Sequence, residues 1–264
     1  MDKTFSQSDA ISLKKNGFKK LNSLIESYIN ESNPDKKEDH IKKAALISKW
    51  LSQYANYIDF EERFNPTRNI SYKRGDVVFV NFGFNLESEF GGEHYAVVLD
   101  QKNRHNASMI TVIPLSSFKP NKPIHPHDVF LGNELYDKLR IKATNKLEHA
   151  AKELLEITNT QKIISGFENE LNDESIANLN KLVDDLQTRS LLLRSEVANT
   201  EKLVKELSVM KAGSIAKIEQ IRSISKIRIY QPKRKSDPLY GIRLSNVSMD
   251  KINDKLKELY IFSE

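Results

Sequence analysis

Between Asn133 and Ser208 the chain holds a single glycine, Gly166, and no proline. The shorter segment before it, Tyr72 to Gly132, holds five glycines and four prolines. Glycine and proline punctuate local structure, so these neighbouring segments cannot be the same kind of structure. The later one reads as helix and the earlier one as short strands joined by turns.

The helical stretch carries a heptad component. In its second half Ile176, Val183, Ser190, Val197 and Val204 share one heptad position, and Leu179, Leu186, Leu193, Thr200 and Leu207 the other. In the first half Tyr136, Ala143, Ala150, Ile157 and Ile164 recur with the same heptad spacing, with Leu147 and Leu154 at the complementary position. The pattern breaks between Ser165-Gly166 and Ser175, where Asn172 and Asp173 are candidate caps for a new helix. Two antiparallel helices of roughly 30 residues follow, each about 45 Å long at 1.5 Å per residue.

The segment before the hairpin is rich in β-branched and aromatic residues. Asp76 to Phe82, Tyr95 to Leu99, Met109 to Leu115 and Asp128 to Leu131 are four candidate strands separated by polar loops. After the hairpin, Ser214 to Ile224 alternates apolar and polar side chains, the pattern of a half-buried strand. Met249, Ile252, Leu256 and Leu259 then give a final amphipathic helix, with Ser248 as its N-cap. Since β structure resumes after the helices, the hairpin reads as an insertion into one β domain.

The organisation expected is therefore a helical region over 1–71, a β domain assembled from 72–132 and 209–264, and the inserted hairpin over 133–208. In the first region Phe18, Leu21, Ile25 and Tyr28 mark one helix, and Ile47, Trp50, Leu51, Tyr54 and Ile58 a second. Asn33-Pro34 separates them, Asn65-Pro66 ends the region, and residues 1–12 read as loose. The basic excess is uneven: residues 209–264 hold 12 basic against 6 acidic side chains, more than the whole chain's net +5. A basic cluster of this size permits a polyanion partner without requiring one.

Several classes of function fall away. There is no cysteine, hence no disulfide frame and no thiol nucleophile. No apolar run is long enough to cross a bilayer, and the N-terminus has no apolar leader core. A membrane span or secretory signal is therefore not expected, and a reducing cytoplasm fits. Phosphate-loop, dinucleotide and HExxH zinc motifs are absent. His125-Pro126-His127 is the one metal-like spacing, but a usable site needs three or four converging ligands. The reading assigns no metal and no cofactor.

Lys73-Arg74-Gly75-Asp76-Val77-Val78 resembles the R-G-D-[IV] opening strand of PemK/MazF-like toxins. The loop and strand Glu89 to Leu99 resemble that family's Gly/Glu-rich loop ending in R-P-A-[VL]-V-[LI], with His94-Tyr95 standing where the family has Arg-Pro. Ile113-Pro114-Leu115-Ser116-Ser117 is similar to the P-[IL]-T-[ST] strand end. Glu219 to Arg228 is similar to the Q-I-R-T-I-D-K-x-R strand and turn, and Ser248 to Phe262 to the C-terminal helix. These motifs occur in the family's order on both sides of the hairpin, and together they cover the larger part of the β domain.

The resemblance implies an α+β chain built on a small SH3-like barrel, a homodimer, an antitoxin partner, and metal-independent cleavage of single-stranded RNA. Carried over residue by residue, it implies His94, Ser116 and Arg222 as catalytic. Arg74, Glu93, Tyr95, Ser117 and Gln220 would be RNA-binding. Ser116 keeps the hydroxyl of the family's Thr/Ser. His94 does not keep the fixed charge of the family's Arg, since imidazole titrates near neutrality. The chemistry can still run. Cleavage by the RNA's own 2′-hydroxyl needs a base, an acid for the leaving 5′-oxygen, and charge or donors for the phosphorane oxygens. Imidazole suits the proton transfers and Arg222 the charge. A non-catalytic protein on the same barrel, binding nucleic acid or inhibiting a protein target, is the alternative that the missing Arg keeps open.

Overall fold

The computed structural model describes residues 4–166 and 173–261, which form two compact units. Asn172 and Phe262, named above as a cap and a helix end, lie outside the described residues.

One unit comprises the chain up to Phe64 together with Phe82–Gly92. It holds helices α1 (Gln7–Ile29) and α2 (Pro34–Glu61). The start of α1 is ordered earlier than its sequence suggests because Ser6 and Asp9 form a reciprocal capping box. Asn33 caps α2, accepting from the Asp35 N–H at 3.0 Å, with Pro34 in the first turn. The buried seam is narrower than the apolar pattern implied: Ala44 and Ile47 are buried, whereas Phe18 is 69% exposed and Tyr54 and Ile58 are exposed. Trp50 finds its partner in Gly83, where a Cβ would come within 2.9 Å of the indole and φ is +86°. Only glycine satisfies both demands there.

The other unit comprises Asn65–Asn81 and the chain from Glu93 onward. Its strands are β1 (Tyr72–Lys73), β2 (Val77–Asn81), β3 (Glu93–Val98), β4 (Lys102–Asn103), β5 (Met109–Ser117), β6 (Asp128–Gly132), β7 (Ser214–Lys217), β8 (Arg222–Ser225) and β9 (Ile229–Gln231). Helices α3 (Glu134–Ser165) and α4 (Asp173–Val209) separate β6 from β7, and α5 (Asn246–Tyr260) ends the unit. All the pairings are antiparallel. The main sheet runs β6-β7-β5-β3-β2-β9, with β8 beside β5, and β1 pairs β4 separately. Among the described residues no ladder joins β9 back to β6, so the sheet is an open path.

The strand anticipated over Ser214 to Ile224 is two strands. Both pair with β5, but the 3-10 turn Ile218–Gln220 loops out between them. Ile218 stays fully buried within that turn, so the apolar alternation persists although the ladder is interrupted. The pairings nevertheless join chain from both sides of the hairpin: β7 lies between β5 and β6.

The sheet is buried on both faces. Val77, Val97, Ile113 and Leu115 belong to a cluster with Leu135, Leu139 and Ala143 of α3, Leu203 of α4, and Met249 and Ile252 of α5. Alternate residues Val78, Val80, Ala96, Val98, Ile110 and Val112 are buried as well. Each such Leu or Ile contributes about 1.5–3 kcal/mol by leaving water, so the hairpin's base is part of this core.

Helices α3 and α4 run antiparallel, with Arg189 bonded to Glu153 and Glu156, and His149 to Glu196 at 2.9 Å. Their seam differs in part from the heptad reading. Ala143 and Ile157 are buried, but Leu147 and Leu154 are 54% and 57% exposed. In α4 the Leu179–Leu207 position is half-buried, with Thr200 buried, whereas Val197 and Val204 are exposed and Leu203 is buried. The N-cap of α5 is Ser245 rather than Ser248; Ser248 lies in the first turn, donating its N–H to Ser245 Oγ at 3.3 Å.

Candidate functional site

Strands β2, β3 and β5 each owe their place to a β-branched run. The turn before β2 depends on Gly75 at φ +83°, whose N–H donates to Val98 O at 2.8 Å while its carbonyl accepts from Leu244 at 2.9 Å. Asp76 then accepts from Arg243 at 2.7 Å. Arg74 donates to Leu99 O and to Asn253 Oδ1. It therefore ties the end of β3 to α5.

The register of β3 on β5 is Val98 with Val112, Val97 with Ile113 and Ala96 with Pro114. His94 on β3 and Ser116 on β5 each stand two residues beyond the last of these rungs. Each is fixed from its other side, His94 opposite Val80 and Ser116 opposite Ile215. Past the last rung the two strands no longer pair, and a cavity of about 250 Å³ opens there, lined by Glu93, His94, Tyr95, Ser116 and Ser117. Five of the eight residues singled out above are thus brought to one place.

The other three are not among its lining residues. Arg74 is engaged as described. Arg222 pairs with Val112, four positions along β5 from Ser116, which is about 13 Å of strand. Gln220 lies in the 3-10 turn and accepts from Arg222 Nη2 at 3.3 Å.

The remaining wall comes from residues the sequence reading passed over. Glu206, Val209, Met210 and Lys211, at and just beyond the end of α4, line the cavity with Ser214 of β7. Glu206 accepts from the Tyr95 hydroxyl through Oε1 and from Gln231 Nε2 through Oε2, the latter at 3.1 Å. Burial first, and then this carboxylate, push the Tyr95 phenol far above its ordinary value. Glu93 accepts from the Tyr230 hydroxyl at 3.4 Å, and Tyr230 accepts from Asn81 at 3.0 Å. Phe79 stacks at a tilt against Tyr95 at 5.1 Å. The only usable signal for the α4 wall was the short link from Val209 to Ser214, which carries the helix end to the neighbour of Ser117.

Chemically, the cavity offers an imidazole, two hydroxyls at a strand end, one ammonium (Lys211) and two carboxylates already satisfied by donors. These side chains are of the kinds that exchange hydrogen bonds with a small polar group.

A separate cluster lies at the other end of β7. His125 and His127 precede β6, and Glu219 belongs to the turn after β7; His127 Nδ1 and Glu219 Oε1 are 2.5 Å apart. The chain distance of 92 residues hid the third member of this group from the sequence.

No helix among the described residues is long and apolar enough to cross a membrane. Residues 73–183 match the model of the PemK-like, MazF-like toxin family of type II toxin–antitoxin systems. The likeness of this chain to that family is therefore shown over β2, β3, β5, β6, α3 and the start of α4. The segments from Glu219 and from Ser248 that resemble later family motifs fall beyond the matched span. Among the curated proteins, none matches this chain.

Proposed function

We propose that this PemK/MazF-like chain is the toxin of a type II toxin–antitoxin pair and that it cleaves single-stranded RNA at the cavity between β3 and β5. The sheet is read as the family's SH3-like barrel opened at one seam, with the hairpin 133–208 inserted between β6 and β7. A homodimer and an antitoxin protein are the partners this reading entails, and the cytoplasm its compartment.

The observation that carries the reading is that His94 and Ser116 line one cavity where β3 and β5 cease to pair. His94 would take the proton from the ribose 2′-hydroxyl or return one to the leaving 5′-oxygen. Ser116 and Ser117 would donate to the non-bridging oxygens of the phosphorane. Lys211 is better situated than Arg222 to supply positive charge at the cavity itself. Attack by the 2′-hydroxyl leaves a 2′,3′-cyclic phosphate and a 5′-hydroxyl, and no step requires a metal.

Two features favour a second reading, a nucleic-acid-binding or protein-inhibiting toxin without catalysis. Glu93 and Glu206 set two carboxylates beside the place a phosphate would occupy, and His94 replaces the family's Arg. The deciding experiment is incubation of purified protein with mixed single-stranded RNA, with and without chelator. Fragments with 2′,3′-cyclic ends in both samples support the nuclease. Activity that vanishes in chelator and returns with magnesium rejects the metal-free step, and RNA bound but uncut supports the second reading.

A further inference from the structure

The cluster at the far end of β7 has the composition of a metal centre. His125 and His127 flank Pro126 just before β6, and the ladder pairs Asp128 with Lys217, two positions before Glu219. That rung brings the two histidines to the 3-10 turn. His127 Nδ1 lies 2.5 Å from Glu219 Oε1, and His125 Nδ1 3.9 Å from Glu219 Oε2. The imidazoles meet edge-on at 5.0 Å, and one donor atom from each of the three residues falls within 4.8 Å of the others.

We propose that His125, His127 and Glu219 bind a divalent transition-metal ion, with zinc the best match. Two imidazoles and one carboxylate are a borderline-soft donor set that suits zinc over magnesium or calcium, which favour oxygen ligands. Zinc takes nitrogen at about 2.0–2.1 Å and carboxylate oxygen at about 2.0–2.2 Å, so donors around a tetrahedral ion stand roughly 3.3 Å apart. Replacing the proton between His127 and Glu219 with the ion moves these two atoms apart by less than about 1 Å. The side chains are 40% and 48% exposed, so no core atom need shift.

The surroundings favour this use. Lys217 is held by Asp128 at 2.5 Å, which gives the nearby ammonium a carboxylate partner other than Glu219. His125 and Glu219 are exposed, leaving the fourth coordination position to water. The ion would join the segment before β6 to the turn after β7, stapling chain from the two sides of the hairpin. It sits beyond Lys217, at the opposite end of β7 from Ser214, which lines the proposed RNA cavity. Its role is therefore to fix the fold of this edge. It takes no part in the cleavage step, and the inference is independent of the nuclease reading.

The test is calorimetric titration of zinc chloride into the full chain after chelator treatment and dialysis. His125→Ala, His127→Ala, Glu219→Gln and His149→Ala are titrated in parallel, with circular dichroism on each. His149 pairs with a single carboxylate, Glu196, and serves as the control. One equivalent of zinc should bind the parent and His149→Ala alike, unchanged by millimolar magnesium. Each substitution in the cluster should weaken binding by tenfold or more while the circular dichroism stays unchanged. Zinc should also raise the melting temperature of the parent and not that of Glu219→Gln. Binding without a one-equivalent end point, or cluster variants that bind zinc as the parent does, would overturn the proposal.

Discussion

The Tyr95 hydroxyl donates to Glu206 Oε1, joining a strand of the candidate site to the last turns of the second hairpin helix. The second oxygen of the same carboxylate takes a bond from Gln231 of β9 at 3.1 Å. One side chain thus connects the sheet's edge strand, a site strand and the hairpin. The hairpin is a wall of the cavity as well as an appendage.

Replacing Glu206 by Gln keeps the shape of that junction and removes its charge. Taking away a carboxylate about 4 Å from a bound phosphate is worth about 1 kcal/mol in water-like surroundings, roughly fivefold in affinity. Single-stranded RNA should bind Glu206→Gln more tightly at low salt, with the gain shrinking as salt is raised. Fluorescence anisotropy at two ionic strengths measures it; equal affinity at low salt places the RNA elsewhere.

At His94 the expected losses are larger. His94→Ala should cleave RNA more slowly by about 10²–10⁴-fold, the usual effect of removing a general acid or base. His94→Gln retains hydrogen bonding without titrating. It should be nearly as slow and should lose the limb of the pH–rate curve that a histidine produces between about pH 5 and 8. Ser116→Ala should slow cleavage while leaving the pH profile in place. A folded His94→Ala protein as fast as the parent would reduce His94 to a wall of the cavity.

Glu134 offers a stability test with a defined sign. It opens α3 and caps α5 from outside, accepting from Ser245 and Ser248 and from Lys138 at 3.1 Å. Burial alone would raise its carboxyl, but the hydrogen bonds from Ser248, Ser245 and Lys138 outweigh it and hold the group below its usual value. Its stabilisation is therefore present above the unfolded carboxyl's titration and is lost as pH falls through the lower folded one. Glu134→Gln should cost about 1–3 kcal/mol at pH 7. That cost should fade in acid, as read from urea denaturation at pH 7 and pH 3.

Lys142 titrates early for the opposite reason. Burial, with the charge of Lys146 beside it, lowers its ammonium to about 8. Its Nζ donates to the carbonyls of Pro238 and Tyr240, each at 2.7 Å. The unfolded chain holds this proton more tightly than the folded one does. The penalty is therefore full below pH 8 and is relieved as pH rises toward the unfolded value near 10.5. A lysine Nζ resonance that titrates near pH 8 and disappears in Lys142→Met checks this; a midpoint above 10 contradicts it.

Shortening the hairpin should separate its tip from its base. Excising residues 155–188 and bridging the cut with a short glycine-rich turn removes no member of the sheet's core cluster, whose hairpin residues are Leu135, Leu139, Ala143 and Leu203. The β signal in circular dichroism should survive. Leu203→Ala in the full chain, emptying a site 1% exposed, should cost about 2–5 kcal/mol. Loss of the sheet on excising the tip would mean that the whole hairpin is needed to fold.

Much of this architecture was written along the chain. The contrast between Tyr72–Gly132 and Asn133–Ser208, read through period and punctuation, located β2, β3, β5, β6, α3, α4 and α5, because those signals are local. The family motifs likewise gave His94 and Ser116 their numbers. What the sequence left open depends on which residues meet. The 3-10 turn that splits β7 from β8 hides inside an unbroken apolar alternation, since Ile218 stays buried through it. The burial of Leu203 in place of Val204 follows from how α4 rests on the sheet. Glu206 and Lys211 at the cavity, and Glu219 beside His125 and His127, are brought there by ladders across the whole hairpin. Period and propensity act between near neighbours in the chain, so they set the elements; antiparallel register joins segments on opposite sides of the hairpin, and it brought Glu206, Lys211 and Glu219 to their sites.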